Sequence, residues 1–130
     1  MKLLELEFGT FLLDDNYVIG EINEGVHVDL QINAIIDNLI REHYGNQPIG
    51  YISRRINDYS VDPLVHQSNL ENSIIQTFAV VDGKKEDPAV YESETRFLDS
   101  DQVRFFSKTR QAIAWTRTTS RFPIDVAQLN

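Results

Sequence analysis

The chain has 130 residues, 42% of them hydrophobic, with 12 basic against 20 acidic side chains and no cysteine. That is enough chain to bury the core of one domain without cross-links, and it excludes disulfides and thiolate chemistry. A formal charge of -8 opposes a nucleic-acid phosphate backbone as partner, because such affinity is mainly electrostatic.

Leu4-Glu5-Leu6-Glu7-Phe8 alternates as a strand does, Gly9 is placed in a turn, and Thr10 to Leu13 forms a second short strand. Asp14-Asp15-Asn16 is a turn cluster, followed by a third strand over 17–22. Connections this short allow only antiparallel hairpins. The N-terminus thus alternates where a secretory signal would be basic and then apolar. No apolar run approaches a membrane span either, so the expectation is a cytoplasmic protein without membrane contact.

From Asp29 the period changes. Ile32, Ile35, Ile36, Leu39 and Ile40 recur at helical spacing, with Asn33, Asp37, Asn38 and Arg41 assigned to the opposite face. Asp29 is placed as N-cap and Gly45 as C-terminal stop, and the apolar stripe is expected to pack on a sheet.

Pro48 to Ile52 reads as a central strand, and Pro63 to Leu70 as a short helix with Asp62 as N-cap and Pro63 in the first turn. Ser73 to Val81 is nearly continuous apolar sequence, the pattern of a strand buried in a parallel sheet, and the most buried strand expected here. Asp87-Pro88 restarts a helix carrying Val90, Tyr91, Phe97 and Leu98. Val103 to Phe106 is a last strand, and Ser107 is placed as the cap of a helix holding Ala112, Ile113 and Trp115. Strands alternating with helices imply parallel crossovers behind an antiparallel edge. The expected fold class is therefore α/β, a mixed sheet with antiparallel N-terminal strands and a parallel core, flanked by helices. One domain is expected over 1–120, followed by a tail over 121–130.

Several short motifs resemble the SpoIIAA-like, STAS-related small proteins of bacteria. They are Gly-Glu-Ile-Asn-Glu-Gly-Val over 20–26, His43-Tyr44-Gly45, the run from Gly50-Tyr51-Ile52-Ser53 through Arg55-Ile56-Asn57 and Tyr59-Ser60-Val61 to Asp62-Pro63, and Ala112-Ile113-x-Trp115. The resemblance spans Phe11 to Thr118, is densest over 51–63 and thinnest over 84–102. It implies the sheet-and-helix fold shared by anti-sigma-factor antagonists, sulfate-transporter regulatory domains and, more distantly, Sec14-type lipid carriers. Antagonists of that kind present a phosphorylatable serine in an Asp-Ser-x-Gly-type turn. Here the turn runs from Asn57 to Pro63 without glycine, and Ser60 stands in its neighbourhood.

Little in the chain points to catalysis. His27, His43 and His66 are scattered, and His27-x-Asp29 lacks a third metal ligand, so a strand-end residue and a helix cap account for that pair. Neither a Gly-x-Ser-x-Gly elbow nor a lysine-ending glycine loop occurs. No enzyme activity, metal or cofactor is expected. Arg55 and Asp58 are assigned to holding their loop through charge-assisted bonds, and Tyr59 to facing the core with its hydroxyl in the loop network.

Charge, however, is uneven. Acids dominate the first quarter of the chain, while Arg104, Lys108, Arg110, Arg117 and Arg121 follow Asp101 with no acid until Asp125. If the strands after residue 48 are parallel, their carboxyl ends share a rim, where open α/β sheets bind ligands. Arg54, Arg55, Lys84, Lys85 and Lys108, with Ser60 beside them, are the candidate residues for a small anion or an acidic partner segment. Ordinary polar loops are the structural alternative. The expected function is a non-enzymatic STAS-like regulatory module binding a protein partner or small anion. The alternative is a phospho-regulated switch of the anti-sigma-factor-antagonist type acting through Ser60. An apolar-ligand carrier is disfavoured, because so short a chain has little room for a large cavity beside a core.

Overall fold

The computed structural model describes residues 1–72, 74–82 and 101–119. The helix expected from Asp87, Lys84, Lys85 and the tail over 121–130 lie outside these residues.

The N-terminal alternation produces β1 (Lys2–Leu6), β2 (Gly9–Leu13) and β3 (Tyr17–Ile22), joined as antiparallel hairpins. The first turn falls on Glu7-Phe8, and Gly9 is already paired with Leu6 and Ile22, so Gly9 is a strand residue and not the turn. A two-residue strand β4 (His27–Val28) leads into α1 (Leu30–Tyr44). Asp29 caps α1 by accepting the Ile32 amide at 2.8 Å, and Gly45, at φ 64°, closes it by donating to the Arg41 carbonyl. Then follow β5 (Ile49–Arg54), β6 (Ser60–Val61), α2 (Pro63–Asn72), β7 (Ile75–Val81), β8 (Val103–Phe106) and α3 (Thr109–Thr119).

The main sheet has the order β1-β2-β3-β5-β7-β8. The first two pairings are antiparallel and the last three parallel, while β4 and β6 form a separate parallel pair. The mixed sheet is the expected one. Its middle is β3 and β5, with β7 one place further out. β3, four buried residues in succession from Tyr17, is more deeply covered than β7.

Strand alternation assigns each side chain to a face. Phe11, Leu13, Val18, Ile22 and Ile49 meet Ile36, Ile40 and Tyr44 of α1 and Val65 of α2 on one face. Tyr17, Ile19, Ile52, Ala79 and Val81 meet Ala112 of α3 on the other. A register shift between Ile49 and Gly50 leaves Gln76 as an extra residue in β7, which places Phe78 opposite Tyr51. Helix α1 buries the row Ile36, Ile40 and Tyr44, with Ile32 and Leu39 partly buried beside it. Ile35 is 45% exposed, against expectation, because it sits about 100° around the helix from Ile36. Ser107 is not the cap of α3: the amides of Gln111 and Ala112 both reach the Lys108 carbonyl, which makes Lys108 the N-cap.

Candidate functional site

The carboxyl ends of β3 and β5 open into two loops that fasten to each other. Asn57 donates its side-chain amide to the Ile22 carbonyl (2.9 Å), Glu24 accepts the Asp58 amide (2.7 Å), and the Gly25 amide donates to the Asp58 carbonyl (2.7 Å). Side chains that sequence reasoning did not name, those of Asn57 and Glu24, thus help to tie these loops. The Ser60 and Asp62 amides then bond the Val26 and Val28 carbonyls, which sets β6 beside β4. Asp62 accepts the Leu64 amide at 2.9 Å and starts α2, as expected.

Between this small sheet, α1, α2 and the main sheet lies a cavity of about 90 Å3. Its floor is Tyr51, Ser53, Ile75 and Phe78, with the Tyr51 and Phe78 rings stacked at 5.6 Å. Val28 and Val61 form one wall, and Ile36, Ile40 and Val65 the roof. Asn33 of α1 and Asn69 of α2, bonded to each other at 2.9 Å, line both this cavity and an outer groove between the helices, as does Asp37. Asp37 pairs with Arg41 at 3.0 Å.

Arg55 is the cation of this cavity and is only 9% exposed. Its amide donates to the Val81 carbonyl, so the sheet ladder continues one residue beyond β5. The guanidinium carbon lies 4.6 Å from the centre of the Tyr59 ring, a cation–π placement, and the Tyr59 hydroxyl is 3.2 Å from Ser53 Oγ. Tyr59 therefore packs against the core with its hydroxyl in a polar network, as its sequence context implied.

The described cations of the expected rim do not converge. Successive strand residues point to opposite faces, so Arg54 leaves on the α3 side, where it pairs with Glu21 at 3.2 Å, while Arg55 enters the cavity on the other. Lys108 is exposed at the start of α3, on the face away from the cavity. Ser60 faces outward from the small sheet, with its Oγ 2.7 Å from His27 Nδ1. His27 and Asp29 are thus engaged as a strand partner and a helix cap, and among the described residues no group of three or more metal-binding side chains exists. The contribution of Asn33, Asp37 and Asn69 escaped sequence reasoning, which placed Asn33 and Asp37 on the helix face opposite the apolar stripe.

At the opposite end of the sheet, the Tyr17 hydroxyl donates to Asp14 at 2.6 Å and holds that carboxyl below its ordinary value of 3.8, partly opposed by burial. Burial in turn pushes the Tyr17 hydroxyl up, with the Asp14 bond and charge adding to it. The buried Tyr44 hydroxyl reaches the Asp14 and Tyr17 carbonyls, and burial raises its pKa well above the usual tyrosine range. Arg117 of α3 approaches Asp14 at 3.6 Å. This cluster staples both helical layers to the β2–β3 hairpin. Its groups are engaged with one another and do not line the cavity.

No protein-family model matches the chain, and no curated protein matches it. Its fold is similar to the crystal structure of an uncharacterized protein of the DUF3478 family with a SpoIIAA-like fold from Shewanella loihica. The similarity covers 88% of this chain and 90% of that one, at 12% identity and a TM-score of 0.52. The fold is thus SpoIIAA-like, as the motifs implied, and at that identity the likeness speaks of the fold alone. Among the described residues no helix is long and apolar enough to cross a membrane.

Proposed function

We propose that the protein is a non-enzymatic binding module that takes a small anionic ligand into the cavity beneath α1 and α2. The observation that supports this reading is a nine-tenths buried guanidinium, that of Arg55, in the cavity wall beside the Ser53 and Tyr59 hydroxyls. A cation held in a low-dielectric wall attracts an anion more strongly than one in water, and the guanidinium fork suits carboxylate or phosphate. The remaining lining is largely apolar, which favours a ligand with a short hydrocarbon body. At about 90 Å3 the cavity is smaller than the roughly 150 Å3 that holds a benzene ring, so the ligand is a compact acid and not a long acyl chain.

The test is an amide-shift titration of the labelled protein with inorganic phosphate and, separately, with butyrate. Saturable shifts at Ser53, Arg55 and Tyr59, lost in Arg55→Gln and retained at lower affinity in Arg55→Lys, support the reading. Absence of saturable shifts in the wild-type protein with either probe overturns it. The switch reading has a separate observation in its favour. Ser60 is exposed and lies beside the His27 ring, which in its protonated form would pair with a phosphate. A phosphate adduct on Ser60 in intact-mass analysis of protein from its native cells would support the switch, and unmodified protein would count against it.

A further inference from the structure

We infer that the ligand is a short-chain ω-amino acid, held at its carboxylate by Arg55 and at its ammonium by Asp37 and Asn33, where the cavity meets the groove between α1 and α2. The inference rests on the reading of Arg55 given above and adds a second point of recognition, which makes the far end of the ligand cationic.

Among the described residues that line the cavity, the charged ones are Arg55 and Asp37. They stand apart along the sheet. Arg55 follows β5 at the carboxyl ends of the strands. Helix α1 begins at those same ends, because β4, which precedes it, pairs with β6 just beyond the Arg55 loop. It runs back to Tyr44, whose hydroxyl reaches the Tyr17 carbonyl at the start of β3. Asp37 therefore lies about two turns into α1, roughly 10 Å along its axis from that end. Arg55 is 9% exposed and lines the cavity but not the groove. Asp37 keeps 35% of its side chain exposed and lines both the cavity and the outer groove, whose volume is about 410 Å3. The cation is thus inside and the carboxylate at the mouth.

Asp37 has room for a second donor. Arg41 Nε donates to its Oδ2, which leaves Oδ1, and Arg41 lines the groove but not the cavity. Asn33, one turn earlier on the same face of α1, donates its Nδ2 to Asn69 Oδ1 and keeps its own Oδ1 as an acceptor. A carboxylate oxygen and an amide oxygen on neighbouring turns match an ammonium, which carries three donors and no acceptor. Charge gives the same answer. A plain monocarboxylate satisfies Arg55 and leaves Asp37 as a like charge in the same low-dielectric space, whereas an ω-ammonium turns that repulsion into attraction. An α-amino acid carries both charges at one end and does not span the two groups. Ile36, Ile40 and Val65 roof the cavity, which suits a hydrocarbon chain between the charged ends.

The test titrates labelled protein with 4-aminobutyrate, 2-aminobutyrate and butyrate. The 4-amino acid is expected to bind about tenfold tighter than butyrate or better, the gain of a hydrogen bond between charged groups. It should shift the amides of Asn33, Asp37 and Asn69 together with those of Ser53, Arg55 and Tyr59. The 2-amino acid is expected to bind no tighter than butyrate. In Asp37→Asn, checked for folding by circular dichroism, 4-aminobutyrate should lose its advantage, while butyrate, freed of a like charge, binds more tightly. Equal wild-type affinity for 4-aminobutyrate and butyrate, an equal gain from 2-aminobutyrate, an advantage that survives Asp37→Asn, or 4-aminobutyrate shifts confined to α1 and α2 would each overturn the inference. Saturable butyrate binding at Arg55 without any gain from the ω-ammonium sinks this inference alone. Absence of saturable shifts with all three acids and with phosphate sinks the Arg55 reading as well.

Discussion

Gly20 is the position at which packing around the cavity is tightest. It pairs with Phe11 and Ser53 in the middle of the sheet, on the same face as Val18 and Ile22. A Cβ there would overlap the Tyr51 hydroxyl and come within 2.7 Å of Tyr51 Cζ and 3.2 Å of Phe11 Cε1. Carbon atoms prefer about 3.5–4.0 Å. In Gly20→Ala the Tyr51 ring must therefore tilt off Phe78, against which it stacks nearly parallel, at 8°. Overpacking costs about 1–3 kcal/mol and a lost aromatic pair about 0.5–1.5 kcal/mol. Alanine's smaller backbone entropy loss returns about 0.5–1 kcal/mol, which leaves a net destabilisation of about 0.5–4 kcal/mol. Urea unfolding followed by fluorescence of the single tryptophan, Trp115, measures it, with a lower midpoint and an unchanged slope expected. In a Tyr51→Leu background the clash is relieved, so the same substitution should cost at least about 1 kcal/mol less. A wild-type midpoint in Gly20→Ala, or an equal cost in both backgrounds, would refute the steric argument.

Asp62→Ala removes the side chain that accepts the Leu64 amide, and should destabilise the protein by about 0.5–2 kcal/mol in the same unfolding assay. The fold holds the Asp14 carboxyl below its ordinary value chiefly through the Tyr17 hydroxyl. That contribution to stability is complete above the unfolded aspartate value and is lost as pH falls through the lower folded value. Tyr17→Phe should therefore raise the Asp14 titration midpoint, read from its carboxyl carbon resonance, and flatten the acid limb of the stability profile. An unmoved midpoint would assign the depression to something other than this bond.

Much of the fold is legible because its devices are local. Asp29 and Gly45 bracket α1, Asp62-Pro63 opens α2, and short polar turns force the first three strands into hairpins. Where these signals are too short to carry a period, the sequence is silent. The β4–β6 pair has two residues per strand, and the extra residue at Gln76 shifts the register of β7 without disturbing its apolar run. In α1 the apolar residues outnumber the places the sheet can cover. The i, i+4 row ending in Tyr44 is covered, and Ile35 is left outside.

The same limit explains the candidate site. Arg54 and Arg55 are adjacent in sequence, and a reading that ends the strand at Ile52 puts both in one loop. The sheet in fact continues until the Arg55 amide meets the Val81 carbonyl, and alternation is enforced to that point. One guanidinium is therefore sent to Glu21 and the other over the Tyr59 ring into the cavity. Asn33 and Asp37 were misassigned for a related reason. A helix covered by a sheet on one side and by a second helix on another has two inner faces, and polar residues on the second face look solvated in sequence. There α2 brings Asn69 to Asn33 and encloses a cavity that the spacing of α1 alone does not imply. A cation confined by strand alternation and a polar helix face turned inward by a neighbouring helix are both products of tertiary placement. The chemistry proposed for this protein rests on those two placements.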